Sequence, residues 1–140
     1  IQALVTTTNF GYPKRTASGF DLNRLNIIIA ILERRTKLHL SDKDIYINVV
    51  GGLRLADPAA DLAVCIAIAS AAAQRKLDEY TVVFGEVGLG GEVRSVVSAA
   101  RRVAEAKKLG FTHSIGPSTA GIGVTTPVST VRQALIDYLK

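Results

Sequence analysis

The sequence predicts an α/β domain of the two-layer α+β kind, a mixed sheet with helices packed on it. Two observations carry that prediction. Stretches with apolar residues at every second position alternate along the chain with stretches whose apolar residues recur every three or four. The 140 residues are also 48% hydrophobic and 21% charged, which is the balance of a globular chain and excludes a disordered or fibrous one. A length in the range of roughly 100–200 residues is that of a single domain.

Ile1 to Thr7 reads as the first strand. A turn-rich stretch through Pro13 and Gly19 follows. Asp21 to Lys37 then reads as an amphipathic helix, with Leu22, Leu25, Ile28, Ile29 and Leu32 on one stripe and Arg24 and Arg34 away from it. Asp44 to Val50 alternates Ile45, Ile47 and Val49 with Tyr46 and Asn48 and stops at Gly51-Gly52, the pattern of a second strand. Asp57-Pro58 opens a helix that runs to about Arg75, because Asp caps free N–H groups and Pro at the first position gives up a donor that had no partner. Its many alanines suit a central helix lying close to its neighbours. Cys65 within it reads as a small core residue.

Thr81 to Phe84 continues the sheet, and glycines 85, 88, 90 and 91 mark a hairpin before Val93. A third helix is expected from a cap at Ser95, with Val96, Ala99, Ala100, Val103 and Ala106 inward and Gly110 as the terminating residue. His113 to Ile115 reads as a short strand and Gly116 to Pro127 as a loop. Ser129 is the expected cap of a last helix carrying Val131, Leu135 and Tyr138.

The net charge of +5 and isoelectric point near 9.6 fit an acidic partner such as nucleic acid, and fit equally a soluble basic surface. One cysteine excludes an internal disulfide, and with only Cys65, His39 and His113 as soft ligands, at no ligand spacing, a structural zinc site is not expected. No apolar run reaches the roughly 20 residues of a membrane helix, and IQALVTTT lacks the parts of a signal peptide. A cytoplasmic protein without a membrane partner is expected. The chain starts at Ile1, already inside a strand, which reads as a domain cut from a longer protein.

GEVGLGGE lacks the Gly-Lys-Ser/Thr ending of a phosphate loop, and it leads into a hairpin rather than a helix N-terminus, unlike a dinucleotide fingerprint. No cofactor is expected in this domain. Two histidines and no nucleophile elbow give a Ser/His/Asp arrangement little support.

The run GG, six residues, then Pro58-Ala59-Ala60-Asp61 at a helix start, followed by FGEVGLGGEVR and a helix ending AKKLGF, resembles the proteolytic domain of Lon proteases. It resembles more closely the Lon-like carboxy-terminal domain of the RadA (Sms) family of bacterial DNA repair and recombination proteins. The likeness covers almost the whole chain. It implies a Lon proteolytic-domain fold, of the ribosomal protein S5 domain 2 type, within a longer protein that carries a zinc finger and a RecA-like ATPase core. It also implies a hexameric ring acting on single-stranded or branched DNA, with ATP, magnesium and zinc confined to the parts outside this chain. Lon proteases use a Ser/Lys dyad; laid on this chain, the Ser position falls on Ala59 and the Lys position on Arg102. Neither can do the chemistry, since Ala has no nucleophile and the guanidinium stays protonated. The resemblance therefore implies a domain that is not a peptidase, with Asp61 a structural replacement favoured by the helix dipole.

Arg94, Arg101 and Lys108 recur every seven residues and are expected on one face of the third helix, with Arg102 about 100° round from Arg101. That face reads either as a solvated surface held by an Arg101/Glu105 pair or as a contact for the nucleic-acid backbone. In a Lon-like ring, Arg54, Arg94 and Arg102 would line the channel. Lys14-Arg15 and Arg34-Arg35 are further basic pairs, the second suiting a helix end. The leading expectation is a ring-assembly platform with an accessory DNA-contacting surface formed by Arg54, Arg94, Arg101, Arg102 and Lys108. The alternatives are an assembly module without DNA contact, and a working peptidase with Ser95 or Ser98 as nucleophile.

Overall fold

Two three-stranded sheets and a short hairpin share one large apolar core in the computed structural model, which describes residues 1–118 and 123–139. β1 (Gln2–Thr7), β2 (Arg15–Ser18), α1 (Leu22–Arg35) and β3 (Lys43–Asn48) form the first half. β3 is the central strand, antiparallel to β1 and parallel to β2. Register puts Ala3 opposite Ile47 and Val5 opposite Ile45 on the core side, while Leu4, Tyr46 and Thr16 form a row on the other face. The turn-rich reading through Pro13 and Gly19 misses β2. Four residues, RTAS, show too little alternation to announce a strand; β3 supplies the neighbour that makes them one.

Asp21 caps α1 by accepting from the Arg24 N–H at 3.0 Å. The buried stripe is Leu25, Ile28, Ile29, Ile31 and Leu32. Leu22 stands 45% exposed in the first turn, whereas Ile31, on the opposite edge of the stripe, is buried. Asp57 caps a 3₁₀ turn, Pro58–Ala60, which leads into α2 (Asp61–Ala73). α2 packs on β1, α1 and the last helix, and its apolar residues surround it, as the alanine-rich sequence predicts. Gln74 ends it in the left-handed conformation, one residue before Arg75.

β4 (Thr81–Val83), the hairpin strands β5 (Glu86–Val87) and β6 (Val93–Arg94), α3 (Ala99–Lys108), β7 (His113–Pro117), β8 (Thr126–Val128) and α4 (Val131–Tyr138) complete the chain. β7 lies between β4 and β8, parallel to both. The sheet is thus divided in two rather than continuous. The glycine hairpin is present, with Glu86 opposite Arg94 and Val87 opposite Val93.

Several boundaries move from their expected places. α3 begins after Ser98, not Ser95, because residues 95–98 form a turn whose Val96 packs on Phe84, Ala99 and Val103. Ala100 is exposed, whereas Gly110, at φ +92°, terminates the helix as expected. Gly116 and Pro117 belong to β7, and Thr126 and Pro127 to β8; the middle of the expected loop, residues 119–122, lies outside the described residues. Thr130, one residue after Ser129, caps α4 by accepting from the Gln133 N–H at 3.1 Å. Gly19 is required where it stands: at φ +78°, a Cβ would lie 2.3 Å from the Leu53 carbonyl oxygen.

Candidate functional site

Ala59 sits inside the 3₁₀ turn that precedes α2, 3% exposed, with both of its backbone groups engaged. Its N–H donates to Asp57 Oδ1 at 2.9 Å, and its carbonyl accepts from the Gly85 N–H at 2.9 Å. The Leu62 N–H donates to the Gly85 carbonyl at 3.0 Å, so the start of α2 is clamped to the corner between β4 and β5. From α3, Arg102 reaches across to Asp57 Oδ2 at 2.6 Å and donates through Nε to the Val97 carbonyl at 3.0 Å. The positions that the Lon resemblance pairs are therefore neighbours through Asp57. An ion pair stands there, beside a methyl group. The Ala59 N–H, and after it the Arg102 guanidinium, hold the Asp57 carboxyl below the usual carboxylate range.

A second pair lies beneath the same wall. Asp61 is 1% exposed and receives both Nε and a terminal nitrogen of Arg24, the Nε contact at 3.0 Å, together with the Val87 N–H at 3.1 Å. Arg24 also donates to the Val87 carbonyl at 2.8 Å. The hydrogen bonds that Arg24 donates to Asp61 raise the Arg24 pKa above its ordinary value, against the opposing effect of burial. Arg24 is thus turned inward and not away from the core. Asp61 is structural, as expected, but through this pair rather than through the helix dipole alone. The signal for it in the sequence is a carboxylate opening an otherwise apolar helix, which needs a cation from elsewhere.

Both pairs border an open cleft of about 330 Å³ whose lining includes Phe20, Asp21, Arg54, Leu55, Asp57 and Glu86. Of the five basic residues singled out from the sequence, three come to this region. Arg54 lines the cleft, Arg102 meets Asp57 on its wall, and Arg94 stands opposite Glu86 in the hairpin. Arg101 and Lys108 lie on α3. Arg94 belongs to β6, so its seven-residue spacing from Arg101 places it on no common helix face. Arg94 pairs with Glu92 at 2.8 Å and Lys108 with Glu105 at 3.5 Å. Glu105 thus bridges to Lys108 and not to Arg101. Among the described residues, Arg54 and Arg101 stand in no ion pair.

Arg15 folds onto the Lys43 and Leu40 carbonyls, the latter at 2.9 Å, and Arg35 donates to the Leu89 carbonyl at 3.3 Å, so one member of each further basic pair has a structural partner. The glycine hairpin carries its own anion. Glu92 lies against Gly88 and Gly90, its carboxyl held below the usual range by its own backbone N–H first, then by Arg94, with a further contribution from the Gly90 N–H. A phosphate would meet that charge. Cys65 is fully buried, and burial pushes its thiol pKa far up, which keeps it protonated and inert. His39 is exposed, and His113 sits in β7 with Nδ1 3.0 Å from the Thr112 hydroxyl. Ser95 and Ser98 lie in the exposed turn before α3. Among the described residues, no group of three His, Cys, Asp or Glu side chains is placed to hold a metal.

A family model described as "Subunit ChlI of Mg-chelatase" matches residues 14–120, most of the chain. Proteins named "DNA repair protein RadA" are similar over nearly all of it. That of Halalkalibacterium halodurans is 44% identical over 96% of this chain and 31% of its own length. Those of Rickettsia prowazekii and Aquifex aeolicus are 46% and 40% identical, over 82% and 96% of this chain and 26% and 31% of their own. The chain spans about a third or less of the curated relatives it matches.

The lowered Asp57 pKa has a consequence for stability. A carboxylate with a depressed folded-state pKa stabilises fully above its unfolded value, near ~3.9, and that stabilisation is lost as pH falls through the folded value. Asp57 is half exposed, so screening limits the effect to about 1 kcal/mol or less. Asp57→Asn, which keeps a capping oxygen but no charge, is expected to be less stable at pH 7 and to lose less on acidification than the wild type. Urea denaturation at pH 7 and near pH 3 measures both.

Proposed function

The chain belongs to the family described as subunit ChlI of Mg-chelatase, and from that membership and its likeness to DNA repair proteins RadA we propose that it is the Lon-like, non-peptidase domain of a RadA-type repair protein. It serves that protein as a ring-assembly platform and an accessory surface for DNA. The observation that carries the reading is the Asp57–Arg102 bridge beside Ala59. A Ser/Lys dyad needs a hydroxyl and an amine that can lose its proton within reach of each other. Here the first position offers only a methyl, and the second a guanidinium neutralised by a carboxylate. The pair ties α3 to the start of α2, a structural role for both positions.

The DNA half of the proposal rests on charge. A phosphate backbone favours cations that are free, or whose present partners are easily given up. Arg54 and Arg101 meet the first condition. Arg94 and Lys108 meet the second, since both bridges are exposed and such bridges contribute about 0–1 kcal/mol. Arg102 ranks last, because it is held by two partners. Assembly would be a closed ring with a heterologous interface, each copy using two different surfaces, with six copies in the complete protein. ATP hydrolysis would belong to parts of that protein outside this chain.

The wild-type chain is expected not to hydrolyse casein or fluorogenic peptides. Activity that survives further purification and disappears on mutation of Ser95 or Ser98 would overturn the non-peptidase assignment. For the complete protein, mass photometry is expected to give a closed cyclic oligomer; a two-fold dimer as the sole assembly contradicts the platform role. Fluorescence anisotropy with labelled single-stranded and duplex oligonucleotides is expected to show sequence-independent binding, with a dissociation constant of about 10⁻⁴–10⁻⁶ M. Replacing both Arg54 and Arg101 by Ala should weaken binding equally for unrelated sequences. It should also flatten the dependence of log K on log salt by about 0.7–0.9 for each phosphate that the variant no longer neutralises. A salt slope unchanged in the double variant leaves the assembly role alone.

A further inference from the structure

We propose that the groove between the C-terminal ends of α1 and α2 and one face of α4 is a docking site for an acidic peptide segment of a partner protein, anchored by apolar side chains. The groove measures about 580 Å³ and lies away from the cleft at Asp57, with no lining residue in common. Leu38, Ala69 and Leu135 contribute to its floor, and Ile136, 64% exposed, stands at it from α4. Three cations, Lys37, Arg75 and Arg132, line it; no carboxylate does among the described residues. Among the described residues, none of the three stands in an ion pair.

Local helix physics accounts for two of these charges and not for the third. Lys37 and Arg75 follow the C-terminal ends of α1 and α2, where a cation suits the dipole. Arg132 occupies the first turn of α4, two residues after the Thr130 cap, where the dipole disfavours a cation and no acid offsets it. Its position is explained by what it faces. Arg132, Leu135, Ile136 and Leu139 follow the spacing of a single helical stripe, and all four line the groove. One face of α4 thus presents a cation and an apolar edge to the same space.

That combination selects the occupant. Nucleic acid would satisfy the cations and leave the apolar floor unused. A second copy of this chain would bring a surface with net charge +5 to a cationic rim. An acidic segment with Leu-, Ile- or Phe-like anchors satisfies both parts, the anchors covering the floor and the carboxylates meeting the rim.

The test pans a random dodecapeptide phage library on the 140-residue chain and titrates the recovered sequences as fluorescein-labelled peptides by anisotropy. The expected recoveries combine Asp or Glu with large apolar residues and bind more weakly as salt rises. Arg132→Glu and Ile136→Asp should each weaken binding about tenfold or more, while Lys107→Ala, on the exposed side of α3 and outside the groove, leaves it unchanged. Arg132→Glu places an acid where the α4 dipole favours one, so its melting temperature should equal or exceed that of the wild type, which separates loss of binding from loss of fold. Recovery of no acidic, apolar sequences, or peptide binding indifferent to Arg132→Glu, overturns the proposal. Displacement of the peptide by oligothymidylate assigns the groove to nucleic acid. Self-association abolished by Arg132→Glu assigns it to a second copy, and either outcome also overturns it.

Discussion

Everything around the cleft depends on one buried carboxylate. Asp61 opens the most apolar helix of the chain and has almost no contact with water, so it must be satisfied internally. Arg24 of α1 and the N–H of Val87 in β5 do so, and Arg24 completes the arrangement by donating to the Val87 carbonyl. Three elements distant in sequence are thereby held to a single geometry. A buried ion pair contributes little net stability over an apolar replacement, but losing one partner strands the other at about 3–5 kcal/mol. The pair therefore acts as a constraint on where α1, α2 and the hairpin can sit. The cleft and the Asp57 cap inherit their places from it, since the same helix start carries both.

The Asp57–Arg102 bridge is a different kind of interaction from the Arg24–Asp61 pair, although both join α2 to another element. Both of its side chains keep substantial exposure, and its charge is open to competition from solvent ions. What it adds is position. Arg102 leaves α3 and ends at the cap of the turn that holds Ala59, so α3 is tied to the start of α2 at that turn.

Periodicity makes α1, α3 and α4 legible, because each buries residues at helical spacing, while α2 is announced by its alanines and by the Asp57-Pro58 start. It cannot reveal β2, whose four residues are ordered by β3 rather than by their own pattern. It also misleads where two serines compete for one role: Ser95 precedes a turn, and Ser98 in the left-handed conformation is where α3 begins. From that shift comes the misplacement of Arg94, since a seven-residue spacing means a shared face only while the helix is continuous. A likeness to Lon proteases marks Ala59 and Arg102 in the sequence, but nothing there marks Asp57 as the group that joins them. Long-range pairing leaves no periodic trace: a carboxylate opening an apolar helix calls for a cation, but nothing in the sequence says that Arg24 supplies it.

A net charge of +5 looks uniform in a composition and is not uniform in the fold. Arg24 and Arg102 are engaged in joining helices, and Arg15 in holding the carbonyls of Leu40 and Lys43. Arg94 and Lys108 share exposed bridges that an incoming phosphate could open at small cost. What remains includes Arg54 at the cleft, Arg101 on α3, and the Lys37, Arg75 and Arg132 set around an apolar groove. Arg101 stands on an exposed helix face, Arg54 lines a cleft together with Phe20 and Leu55, and the last three frame a surface that a purely charged ligand would leave half unsatisfied. The same excess of cations is therefore spread over surfaces that differ in the apolar side chains beside the charges rather than in the charge itself.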